Sequence, residues 1–152
     1  MLLQIAIGSA LILLTIVIAG MTFYLLEMIF ERAQPWLHRE PHGPKQMLVL
    51  CLSLVWTLGL VTVASWLWAV VFWWLGAFPT LEAALYFSLV SYTTLGFGDV
   101  LLPQPWRLLA GMIAANGLIN IGLFTAILVE TLRQLRIGQS ESRRRRGAGG
   151  AS

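Results

Sequence analysis

Thr80-Leu81-Glu82-Ala83-Ala84-Leu85-Tyr86-Phe87-Ser88-Leu89-Val90-Ser91-Tyr92, followed at once by Thr93-Thr94-Leu95-Gly96-Phe97-Gly98-Asp99, decides the fold. The first part reads as a short, mostly apolar helix, with Pro79 before it and Thr80 as its N-cap. It is too short to cross a bilayer, which takes about 20 apolar residues. The second part brings two glycines, and Pro103 and Pro105 follow soon after. A half-length helix that returns through glycines is a re-entrant loop. Irregular backbone at membrane depth persists only where protein buries it or where it lines a wet cavity.

The surroundings place this segment in a membrane. Of the 152 residues, 58% are hydrophobic and 11% charged, against about 25% charged in a soluble domain. Three stretches carry no charge: Met1 to Leu26, Gln46 to Leu81 and Leu108 to Val129. Each is long enough to span, and the middle one is long enough to tilt or to carry an interfacial piece. The first stretch reads as a retained helix rather than a signal peptide. It has no basic n-region, and its apolar run is too long for one.

The net charge of +3 does not point to nucleic acid, because six of the ten basic residues lie at or beyond Arg133. Arg32, Arg39 and Lys45 follow the first span, and Arg133, Arg136 and Arg143 to Arg146 follow the third. Only Arg107 lies between the second and third. The positive-inside rule therefore puts both basic segments in the cytoplasm and the N-terminus outside. Trp66, Trp68, Trp73, Trp74 and Trp106 gather toward the outer half, as an interfacial belt would.

The expected architecture is an all-α membrane protein. An N-terminal transmembrane helix covers 1–29 and a proline-broken cytoplasmic loop 30–46. A unit at 47–134 holds an outer helix (47–77), a short re-entrant helix (80–92), a loop (93–99) and an inner helix (106–134). A basic tail at 135–152 lacks apolar periodicity and reads as disordered.

The loop has a specific physics. A cation crossing a membrane sheds its water, and backbone carbonyls pointing inward from several chains can replace those oxygens. Pointing successive carbonyls one way needs unusual dihedrals at alternate residues, which Gly96 and Gly98 supply without a Cβ clash. Thr94 adds a hydroxyl at the inner end. Leu95 and Phe97 are expected to turn away from the axis and pack against the supporting helix.

Here the chain resembles the potassium-channel pore family, whose signature reads T-T-V-G-Y-G-D where this chain has TTLGFGD. The resemblance covers roughly Phe78 to Leu132. It implies a selectivity filter in which Thr94, Leu95, Gly96, Phe97 and Gly98 coordinate K+, with Thr93, Asp99, Tyr86 and Val90 as support and K+ held at Thr94, Leu95, Gly96 and Phe97. It implies a homotetramer, no cofactor beyond the transported K+, a cell membrane location and passive potassium conduction. Gly117 falls where the family has its gating hinge, and Gly122, Thr125 and Ala126 match positions lower on the inner helix. The departures fall on support. Phe97 lacks the hydroxyl of the usual tyrosine, Leu95 replaces valine, Tyr86 stands where many members have tryptophan, and Val90 stands where some have glutamate. They bear on filter stability more than on ion preference.

A helical wheel at about 100° per residue puts Ala114, Leu118, Ile121, Thr125, Val129 and Leu132 on one stripe. By the resemblance, that stripe lines the cavity and inner mouth. Asn116 and Asn120 fall on the opposite face, where they are expected to make interhelical hydrogen bonds. Glu27 and Glu130 read as interfacial, with Glu130 spaced to pair with Arg133. His38 and His42 flank Pro41, which argues against a helical metal pair. Arg143, Arg144, Arg145 and Arg146 suit either anionic lipid head groups or a solvated tail that fixes topology. Cys51, alone in an apolar run, has no partner for a disulfide within the chain. No nucleophile–base pair or metal cluster suggests an enzyme. The other function class is a non-conducting or weakly selective accessory subunit that keeps the pore fold.

Overall fold

Helix starts and stops follow local chemistry at each boundary. The computed structural model describes the backbone of residues 1–37 and 42–149. It describes side chains chiefly over 1–26, 47–48 and 51–129, and also at 28, 29, 32 and 133. His38, Arg39 and Pro41 fall outside the described residues, as do the side chains of Glu27, His42, Lys45, Glu130, Leu132, Arg143, Arg144, Arg145 and Arg146.

Helix α1 is Leu2–Leu37 and α2 is His42–Trp74. Pro44 sits in the first turn of α2, where a missing N–H leaves no intrahelical bond unmade. The far end of α2 is set by Gly76, whose φ of 66° is left-handed. Ala77 N–H bonds the Phe72 carbonyl at 3.0 Å, and Gly76 N–H bonds that of Trp73 at 3.0 Å. This pair of bonds is a Schellman closure. It ends the helix three residues short of the 77 expected from the uncharged run.

Helix α3 is Leu81–Tyr92. Thr80 is extended (φ −128°, ψ 151°), and its hydroxyl oxygen accepts from Ala83 N–H at 3.2 Å, with Glu82 in the first turn where an acid suits the helix dipole. At about 1.5 Å per residue α3 is roughly 18 Å long, well short of a bilayer core of about 30 Å. A 3₁₀ turn at Gln104–Trp106 leads into α4, Arg107–Gly149. The backbone beyond residue 134 is thus helical through Gly149, where the sequence reading had a disordered tail. There the run of Ser, Arg and Ala continues the helix without an apolar face.

α3 packs between α2 and α4, and α1 lies along α4. The core joins Leu11 of α1, Trp68 and Phe72 of α2, Phe87 and Tyr92 of α3, and Leu109 and Ile113 of α4. An aromatic cluster fixes α3 against α2. Phe87 meets Phe72 edge-on at 5.5 Å and 77°, Phe78 lies 5.2 Å from Phe87, and Trp68 lies 5.6 Å from Phe72. Such pairs are worth about 0.5–1.5 kcal/mol each beyond their buried area. Trp68 is fully buried, so it belongs to this core and not to an interfacial belt. Trp66, Trp73 and Trp74 stay exposed. Small residues, Ala64, Ser65, Ala69, Ala84 and Ser88, fill the rest. Helices in lipid gain stability from such close packing, since burying an apolar group there gains little. Among the described residues, three helices, over Leu2–Leu26, Cys51–Trp74 and Gln104–Val129, are long and apolar enough to cross a membrane.

Candidate functional site

The Thr93–Asp99 loop grows out of the C-terminus of α3. A helix leaves its last carbonyls without intrahelical partners, and here the loop supplies them. Thr93 N–H bonds Leu89 O at 3.0 Å and Thr94 N–H bonds Ser91 O at 3.0 Å. Leu95 and Gly96 N–H both bond the Val90 carbonyl, at 3.0 and 3.2 Å. The Thr93 hydroxyl also donates to Leu89 O at 2.8 Å. Val90 therefore supports the loop through its backbone oxygen, whichever side chain it carries. The carbonyl end of α3, the negative end of its dipole, lies at the Thr93 end of the loop.

Within the loop the sign of φ alternates. Thr94, Gly96 and Gly98 have φ of 59°, 57° and 75°, while Leu95 and Phe97 between them stay negative. A β-strand turns successive carbonyls to opposite sides. Alternating left- and right-handed residues instead lay them along one side. A Cβ built on Gly96 or Gly98 would meet no atom within 4 Å, so the demand there is for the left-handed backbone and not for space. Thr94 adopts the same conformation with a β-branched side chain, a strain of about 1–3 kcal/mol that surrounding structure must hold. The four amide bonds just described hold it.

The Asp99 end has its own tie. The Tyr86 hydroxyl donates to Asp99 Oδ2 at 2.6 Å. That hydrogen bond, followed by burial and the nearby carboxylate charge, raises the Tyr86 pKa. The loop is thus pinned to α3 at both ends. Leu95 and Phe97 lie on the surface of the single chain. They are 59% and 66% exposed, and a cleft lined by Tyr86, Val90, Asp99 and Leu101 lies open behind the loop. Neither side chain is among the residues of the packed core that holds α3.

A model of an ion channel family matches residues 50–134, more than half of the chain. The chain belongs to that ion channel family. No curated protein and no solved structure gave a match. The family is not an enzyme family, and the protein is a multi-pass membrane protein. The match covers most of α2, then α3, the loop and the spanning part of α4. α1 lies outside it.

Within this ion-channel unit, α4 divides into two faces. Leu118, Ile121, Thr125 and Val129 are exposed, at 66% for Leu118 and 60% for Val129, while Ala114 is half-buried. The Thr125 hydroxyl bonds back to Ile121 O at 2.8 Å. Asn116 and Asn120 are buried on the opposite face. Gly117 is buried too. A Cβ there would overlap the Tyr92 carbonyl, so this glycine lets α4 close onto the foot of α3. The carbonyls of Leu89 and Ser91 and the Tyr92–Gly117 contact were not singled out from the sequence. The signal for the first two was the helix C-terminus itself, whose carbonyls must find donors.

Proposed function

We propose that the protein is a potassium-selective channel that conducts passively through four Thr93–Asp99 loops gathered around one axis. The alternating φ at Thr94, Gly96 and Gly98 carries this reading. It lines up carbonyls of Thr94, Leu95, Gly96, Phe97 and Gly98 as a dehydrated cation needs, and the sequence there, TTLGFGD, resembles the potassium-channel filter. One chain brings one loop, so closure of a ring requires a homotetramer. The exposed Leu95 and Phe97 and the exposed stripe of α4 support that, being apolar surfaces fit for neighbouring copies or the central cavity.

In this reading Leu118, Ile121, Thr125, Val129 and Leu132 line the cavity and inner mouth, and Gly117 serves as hinge as well as contact. The N-terminus lies outside the cell membrane and the C-terminus in the cytoplasm, where Arg143, Arg144, Arg145 and Arg146 meet anionic lipid head groups.

Purified protein in liposomes under opposed K+ and Na+ gradients tests the proposal. The expected reversal potential follows the K+ gradient. A current that tracks Na+ equally well would remove the selectivity claim, and a silent membrane would favour the accessory-subunit reading.

A further inference from the structure

The filter support extends past the matched unit into α1. Thr15 of α1, 4% exposed, holds its hydroxyl 3.0 Å from Asn116 Oδ1 across the α1–α4 interface and 2.9 Å from Ile12 O of its own helix, so its one proton serves either acceptor. Asn120 Nδ2 donates to Asn116 Oδ1 at 2.7 Å and to Asn116 O at 3.0 Å. Thr15, Tyr92 and Asn120 line one small cavity. Next to Asn116, Gly117 lies against the Tyr92 carbonyl. Tyr92 is the last residue of α3, and Thr93 opens the loop.

Two further contacts hold α1 in place. The Gln4 amide donates to Pro105 O at the turn after the loop. Gly8 faces Met112 and Leu109 so closely that a Cβ would overlap the Met112 side chain. A helix that only anchored the chain in lipid would need none of these polar ties.

We infer that Thr15 of α1 and Asn116 and Asn120 of α4 are positioning residues for the filter, setting the placement of Tyr92 and through it the inner end of the loop. The inference rests on the proposed channel function for its physiological meaning, and its geometry is independent of ion preference. Interhelical polar contacts in lipid are individually modest, but this set is buried and shares one acceptor. Asn116 Nδ2 and Asn120 Oδ1 already lack a partner among the described residues, so removing a member leaves a set with little left to hold it.

The test compares Thr15→Val, Asn116→Leu, their double variant and Thr15→Ser in the full-length protein. Thr22→Val is the control, because the Thr22 hydroxyl bonds only to Ile18 and Ala19 carbonyls of its own helix. Two readouts are taken: the K+/Na+ permeability ratio with mean open time, and hydrogen exchange at the Leu95 and Gly96 amides. Thr15→Val is expected to change the first by about threefold and to speed the second similarly, the size of one interhelical hydrogen bond in a membrane. Thr15→Ser and Thr22→Val should match wild type, and the double variant should be non-additive. Should Asn116→Leu not assemble, Thr15→Val against Thr15→Ser still decides. Unchanged exchange and unchanged permeation in Thr15→Val, or an equal effect of Thr22→Val, would overturn the inference. A wild-type protein that conducts no K+ overturns the proposed function alone, since exchange still reads the coupling.

Discussion

At the scale of single residues, the proposed filter depends on backbone sign. Gly96 has free space around its Cα and a left-handed φ of 57°. Gly96→Ala is therefore expected to abolish K+ conduction by forcing the backbone out of register, at roughly 1–2 kcal/mol per left-handed L-residue, while membrane insertion persists. Persistent K+ current in liposomes would mean that ions take another path. Gly117 is the opposite case, with an ordinary helical backbone and no space. Gly117→Ala drives a methyl into the Tyr92 carbonyl and is expected to cost about 1–3 kcal/mol, as overpacking does. Thermal melting in detergent checks it; an unchanged melt would leave the hinge as the reason for the glycine. The Tyr86–Asp99 hydrogen bond raises the Tyr86 pKa. The bond is therefore intact below the ordinary tyrosine value of about 10 and is lost as pH climbs through the raised value. Tyr86→Phe should speed loss of current under sustained conduction and remove the alkaline step; recordings across that range read both. The sequence made Gly96, Gly98 and the Thr80 cap legible, because glycine and N-cap chemistry are local. It did not reveal the φ of Thr94, since nothing in a threonine announces a left-handed backbone that neighbouring amides impose.

At the scale of elements, α3 was legible almost to the residue, with Pro79, Thr80 and Glu82 marking its start and the glycines its end. The end of α2 was less so, because hydropathy runs on through Ala77 and Phe78 while Gly76 closes the helix. Trp68 misled for a related reason. A tryptophan near the end of a span suits either a lipid interface or a core, and only the angle between α2 and α3 chooses. On α4 a polar pair at 116 and 120 and an apolar stripe separate on a wheel, and the pair is buried while Leu118, Ile121, Thr125 and Val129 are exposed. If its exposed stripe meets copies of itself near the cytoplasmic end, Val129 and Leu132 form a constriction that closes by excluding water. Val129 lies about 18 Å below Gly117 at helical rise. Val129→Ser and Leu132→Ser are then expected to raise basal current several-fold. Single-channel open probability is the measurement, and two unchanged variants would move the gate to the filter.

At the scale of the whole molecule, the single chain leaves a large apolar area outside its own core, including Leu95, Phe97, Leu118 and Val129. Lipid can cover some of it, but carbonyls on one side of a loop need partners around an axis. The expected mass in an activity-preserving detergent is that of four chains; a stable monomer that still conducts would refute the ring. One other feature reaches beyond the apolar spans. The family match stops at 134 while α4 runs unbroken to Gly149, so the helix continues past its apolar span, which ends at Val129, with its rotational phase intact. A helical partner fused in frame at this end would inherit that phase. Inserting seven residues at the junction shifts it by only about 20°. Inserting two would swing the appended part by about 200° at 100° per residue, so any sensor grafted here should respond to linker length periodically and not gradually.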